Sequence, residues 1–193
     1  MKFTRIPITA FQNLQMNAGV IATDFTPGTA TLDEANILGA TTGGLTVTAV
    51  PEFVDMGEDI DNCPKNTKEL KKPTGWTVTA SGTLVTIKAE TTKKLLAAAD
   101  VSGNKITPRM DLAAEDFGDI WIVGDYSDKN GETNGGYVAC HIINALSTGG
   151  FSLVTSDGEK GQFAFEFTGH TSISAQDTVP FEMYVQAGTA EPT

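Results

Sequence analysis

In the run KGQFAFEFTGH (160–170), Phe163, Phe165 and Phe167 alternate with Gln162, Ala164, Glu166 and Thr168. A helix scatters rings spaced two apart around its circumference, whereas a strand sets them on one face. The run therefore requires a sheet with one face in a core and the other toward water or a polar lumen. The same period recurs in LTVTAV (45–50), where Leu45, Val47 and Ala49 oppose Thr46 and Thr48. It recurs at Trp76, Val78 and Ala80, at Val85, Ile87 and Ala89, and in a last strand at Phe181, Met183 and Val185.

Two further runs, IWIV (120–123) and YVACHIINAL (137–146), are apolar at every position type. Strands of that kind are buried on both sides, and a neighbouring molecule is one way to cover the second side. Between them DYSDKNGETNGG supplies turn formers, so the pair reads as a hairpin with an extended tip. Residues 151–155 and 161–169 read as another strand pair, and 17–25 as a strand before the turn residues Thr26-Pro27-Gly28-Thr29. Ser81-Gly82 suits a tight turn or a bend. One segment has helical spacing. In TTKKLLAAAD (91–100), Thr91 or Thr92 caps, Leu95, Leu96 and Ala99 form a stripe, and Gly103 stops the helix. The expected fold class is thus all-β with one short α-helix, a β-sandwich or barrel. It occupies residues 17–186 as a single domain, with an arm at 1–16 and a flexible tail at 187–193. The arm either packs on its own domain or reaches a neighbouring subunit. No internal repeat or linker divides the chain.

Composition fits: 40% of residues are hydrophobic, 19% are charged, and Gly is abundant at 20 of 193. The net charge of −11 excludes the basic stripe that gripping phosphates demands, although an acidic wall suits DNA that must slide past without sticking. No apolar run reaches the ~20 residues of a membrane span, and MKFTRIPITAF has no apolar signal core, so a soluble chain made in the cytosol is expected. Cys63 and Cys140 are too few for a disulfide scaffold. Cys140 reads as a buried free thiol, with a single Cys63–Cys140 bond the other possibility.

The longest irregular stretch is Pro51 to Pro73. Its first half carries Asp55, Glu58, Asp59 and Asp61, and its second half carries Lys65, Lys68, Lys71 and Lys72. Connections this long commonly have a task. Either the charges pair with one another on a solvated loop, or the split meets complementary charges on another subunit. The eight residues form the candidate inter-subunit set.

No catalytic constellation emerges. His141 sits in an apolar strand and reads as a core or interface residue; His170 follows a Gly and reads as surface. There is no zinc-ligand spacing, no GxSxG and no phosphate loop; SDGEKGQF leads into a strand and reads as a hairpin turn. The acidic tip at 125–133 fails the spacing of a calcium loop. No enzyme activity, metal or cofactor is expected.

Several stretches, taken together and in order, resemble the major tail tube proteins of long-tailed bacteriophages of Gram-positive hosts. They are LQMNAGVIATDF, ILGATTGGLTVTAVPEF, GEDIDNCPKNTKELK, KITPRMDL, GDIWIVGDYSDKNG, NALSTGGFSL, KGQFAFEFTGH and DTVPFEMYV, spread over most of residues 14–186. The resemblance implies a structural virion protein. Six subunits would form a ring whose strands line a shared channel, and rings would stack into a tube through the 51–73 loop. The partners implied are further copies of the chain, a tape-measure protein, tail-tip and terminator proteins, and phage DNA that passes without specific binding. The location implied is the phage tail. The competing expectation is a carbohydrate- or receptor-binding β-sandwich on a surface. That reading requires exposed aromatics, whereas Trp76 and Trp121 both read as buried.

Overall fold

The computed structural model describes residues 17–126 and 136–188. The 1–16 arm, most of the 125–133 tip and the end of the C-terminal tail lie outside these residues. In chain order the strands are β1 (Val20–Ala22), β2 (Ile37–Gly39), β3 (Thr41–Asp55) and β4 (Lys71–Leu84). Helix α1 (Ala89–Leu95) follows, then β5 (Ala99–Ser102), β6 (Lys105–Pro108), β7 (Gly118–Tyr126) and β8 (Gly136–Ser147). Last come β9 (Ser152–Val154), β10 (Gln162–Thr168) and β11 (Phe181–Gln186). The architecture is all-β and sandwich-like with a single short α-helix among the described residues.

The large sheet runs β2-β1-β7-β8-β10-β4-β3, with β11 added to β8 and β9 added to β10; β5 and β6 form a separate hairpin. Strand β8 joins the two halves. Up to Ile142 it lies between β7 and β11, and at Leu146 and Ser147 it pairs with β10. The register slips where Gly118 faces Ala145 but Ile120 faces Ile142, and Asn144 adopts a left-handed φ of 48°. Asp119 accepts from the Asn144 backbone N–H at 3.0 Å, and the Asn144 side chain donates to the His170 carbonyl at 3.2 Å. This bulge turns β8 from one half into the other. His170, expected at the surface, is half-buried at this bend, edge-on to Phe117 at 5.4 Å.

The halves meet over one core: Ile21, Leu38, Val78, Ala80, Leu84, Leu95, Ile120, Ile122, Ile142, Ala145, Phe165 and Phe167. Leu45, Val47 and Ala49 pack against it from β3 and Phe163 from β10, as the alternation requires. On the outer face of β7 and β8, Phe25 stands edge-on to Trp121 at 5.6 Å and to Tyr137 at 5.2 Å. The Tyr137 hydroxyl donates to the Pro27 carbonyl at 2.6 Å. Part of the second side of these strands is therefore covered by the chain's own 25–32 loop.

Several boundaries differ from the sequence reading. The strand in 17–25 shrinks to Val20–Ala22. Ser81 and Gly82 do not bend; they lie within β4, and a Cβ on Gly82 would stand 2.9 Å from the Phe165 ring. Glycine is there because the ring crosses that point. The helix starts at Ala89 and ends at Leu95, and its N-cap Lys88 makes no side-chain cap bond. Thr91 instead is buried and donates to the Leu38 carbonyl at 2.8 Å, tying the helix to the sheet. Ala98 and Ala99 leave the helix because Ala99 enters β5 and the Ala98 carbonyl accepts from the Arg109 N–H. The β5–β6 hairpin is held down by Arg109, whose guanidinium reaches Asp116 at 2.6 Å and Asp100 at 2.9 Å.

Candidate inter-subunit surface

The stretch 51–73 is strand at both ends, 51–55 and 71–73, and leaves the sheet only over 56–70. Strands β3 and β4 pair from Thr41–Leu84 to Asp55–Lys71, with one bulge at Gly43–Gly44 and another between Glu52 and Phe53. Proline at 51 and 73 and the run of charges hide this pairing in the sequence. Beyond Val50 and Thr77 the hairpin carries exposed apolar side chains on both of its faces, so it stands as an arm. Alternation continues the core-facing row of β3 outward through Pro51 and Phe53, and that of β4 through Trp76. Phe53 is 53% exposed and Trp76 41% exposed. Val50 and Val54 are exposed on the opposite face. The expectation that Trp76 is buried is thus wrong, while Trp121 is buried. Trp76 alternates correctly with Val78 and Ala80, but the core ends before reaching it.

The arm closes in a folded tip, residues 56–70. The Asp55 carboxylate accepts from the Gly57 N–H at 2.9 Å and from the Asn66 N–H at 3.0 Å, clasping both ends of the tip. Met56 N–H donates to the Leu70 carbonyl at 2.9 Å. A Cβ on Gly57 would lie 2.8 Å from both Cys63 Sγ and Leu70 Cδ1, so these three residues form a small packed centre. Cys63 and Cys140 are both free thiols.

The eight candidate residues therefore separate. Asp55 is engaged inside the tip. Lys71 donates to Asn66 Oδ1 at 3.2 Å, and its ammonium lies 5.6 Å from the centre of the Phe53 ring. Glu58, Asp59, Asp61, Lys65 and Lys68 are exposed on the tip, and Lys72 is exposed beside Val54. Among the described residues no ion pair joins the acidic half to the basic half, so the self-paired reading of the loop is not what the structure shows. Sequence reasoning missed the arm's apolar members: Phe53, Trp76, and Met56 and Ile60 on the tip, the last two 60% and 55% exposed. The signal was available as aromatic and aliphatic residues scattered through a charged segment.

A second polar group lies on the outer face of β7, β8 and β11. His141 stacks flat on Trp121 at 3.9 Å and reaches Asp119 at 3.0 Å and Glu182 at 3.1 Å. The Tyr184 hydroxyl donates to Glu182 at 2.7 Å. That bond first, and His141 second, hold the Glu182 carboxyl below its ordinary range. The bonds link three adjacent strands across the face. No metal-binding group of three ligands occurs among the described residues. No helix among them is long and apolar enough to cross a membrane.

Comparison with protein-family models and with curated proteins finds no match for this chain.

Proposed function

We propose that this chain is a structural subunit that assembles with copies of itself into a tube, as the tail tube of a long-tailed phage does, forming the conduit for DNA delivery. The observation that carries the reading is the β3–β4 arm: a hairpin with exposed aromatic and aliphatic side chains on both faces and unpaired charges at its tip. Fully burying one such apolar side chain is worth ~1.5–3 kcal/mol, so an arm left in water is a partner site that has not been filled. An arm fits a surface unlike itself, and such heterologous contacts propagate where a two-fold contact closes. Among the described residues strand β3 is also a sheet edge, with its outer side available to a further strand. A chain at −11 presents walls along which DNA slides without binding wells. Stacked hexameric rings, a tape-measure protein in the lumen and tail-tip and terminator partners belong to the same proposal.

Negative-stain electron microscopy over a concentration series, with light scattering, tests it. Hollow tubes or rings of uniform width are expected. Particles that stay monomeric at all concentrations, alone and with added tail-tip complex, overturn it.

Exposed Trp76 favours a second reading, a surface module that stacks a sugar ring or a receptor loop on the indole. Glycan binding that Trp76→Ala abolishes in a non-assembling protein would establish that reading instead.

A further inference from the structure

The core-facing side of the β7–β8–β11 half extends past the core. Across the three strands Ile122 faces Cys140 and Cys140 faces Met183; one step on, Gly124 faces Val138 and Val138 faces Val185. Directly opposed residues share a face, and Ile122 and Cys140 both pack in the core, so Val138, Met183 and Val185 point the same way. Yet Met183 is 57% and Val185 55% exposed, against the expectation that the last strand buries this row. Leu45 and Val47 of β3 and the glycine bulge at Gly43–Gly44 form the facing wall of an apolar groove floored by Ile122, Val138 and Cys140.

The described chain enters at the mouth of that groove. Asn17, Ala18 and Gly19 line it with the residues above. Asn17 is clamped to the end of β7: its amide donates to the Asp125 carboxylate and its oxygen accepts from the Asp125 N–H at 3.1 Å. Sixteen residues precede this clamp, with Phe3, Ile6, Ile8, Phe11, Leu14 and Met16 among them. They carry Lys2 and Arg5 and no acidic residue, so at a total of −11 the remaining chain stands at −13. An apolar, cationic segment is thus tethered beside an apolar groove on an acidic body.

We infer that residues 1–16 of the same chain dock in this groove and cover Val138, Cys140, Met183 and Val185. Reach is not limiting. Three adjacent strands span about 10 Å, and four extended residues cover about 13 Å. The tether also gives the chain's own segment a local concentration of about millimolar order, far above that of a second copy in dilute solution.

Cys140 on the groove floor reports the docking, and Cys63 on the distant tip is the control. Thiol alkylation, read for each cysteine by peptide mass spectrometry, is compared between the full chain and a chain lacking residues 1–16. Burial pushes the Cys140 thiol up, so all rates are taken at one pH. Removal of the segment is expected to speed Cys140 alkylation by roughly tenfold or more, since reaction follows the population of the open form, and to leave Cys63 unchanged. The protection in the full chain is expected to persist on dilution. Protection that vanishes on dilution overturns the inference and assigns the groove to the segment of a second copy. Equal Cys140 rates with and without residues 1–16 also overturn it. Should truncation unfold the chain, both thiols accelerate together. The full-length double variant Phe11→Asp, Leu14→Asp then decides: acceleration at Cys140 alone upholds docking, and an unchanged Cys140 rate overturns it.

Discussion

At the scale of the residue, the Phe163–Phe165–Phe167 alternation located the core. Phe165 and Phe167 are 4% and 2% exposed and lie 5.6 Å apart, and Phe165 passes over Gly82 with no room for a Cβ. Phe165→Ala should cost ~3–5 kcal/mol through lost burial and a residual cavity. At about 2–4 °C per kcal/mol for a chain of this size, calorimetry should show a clear drop in Tm, and an unaltered Tm would refute the facing of β10. The Asp116 carboxylate was not singled out in the sequence, because its partners Ala113 and Arg109 converge only in the fold. The Ala113 N–H at 2.8 Å first, and the Arg109 guanidinium second, hold it below the ordinary Asp range. A carboxyl lowered on folding contributes stability that is full above the unfolded value of about 4 and lost as pH falls through the folded value. Thermal melts from pH 6 to pH 2 should therefore show the chain and its Asp116→Asn variant converging in acid. A Tm gap that stays constant with pH would mean that this carboxyl titrates alike in both states.

At the scale of the element, the sequence revealed faces more reliably than ends. The β7–β8 and β9–β10 pairs and the inward row of β3 were legible because period two survives whatever covers the strand. The outer reach of β3 and β4 was not, since prolines and charges that suit an exposed hairpin arm also suit a loop. Helix α1 was legible as a helix, but its end depends on Ala99 entering β5, a tertiary matter. Nor could alternation tell that the row of Met183 and Val185 outruns its cover. For the candidate surface, the charges at 55–72 were found and the aromatic half was missed. The tip is a compact unit folded around Asp55, Gly57, Cys63 and Leu70. Replacing residues 57–69 by a short turn that keeps Asp55 opposite Lys71 should leave the body's circular dichroism and core packing intact while stopping tube growth. Tubes of normal length from that variant, seen by electron microscopy, would remove the tip from the assembly reading.

For the whole molecule, the question is which force would build the proposed assembly, since the arm offers both apolar and charged groups. Solvent-exposed charge pairs contribute ~0–1 kcal/mol each and weaken with salt, whereas burying Phe53 and Trp76 is worth a few kcal/mol and does not. In the proposed assembly the tip charges of Glu58 through Lys68 would therefore set direction and approach, and the aromatic row would hold the contact once made. Changing Phe53 and Trp76 together to Ser should cost the monomer less than it costs assembly, because both rings are already about half exposed in it. It should raise the concentration at which scattering rises by roughly a hundredfold, a shift of about 3 kcal/mol. Raising salt from low to molar concentration should slow the parent chain's growth while shifting that concentration far less. If instead salt abolishes assembly and the double variant grows normally, the contact is electrostatic and the aromatic row faces a ligand, which returns Trp76 to the sugar-binding reading.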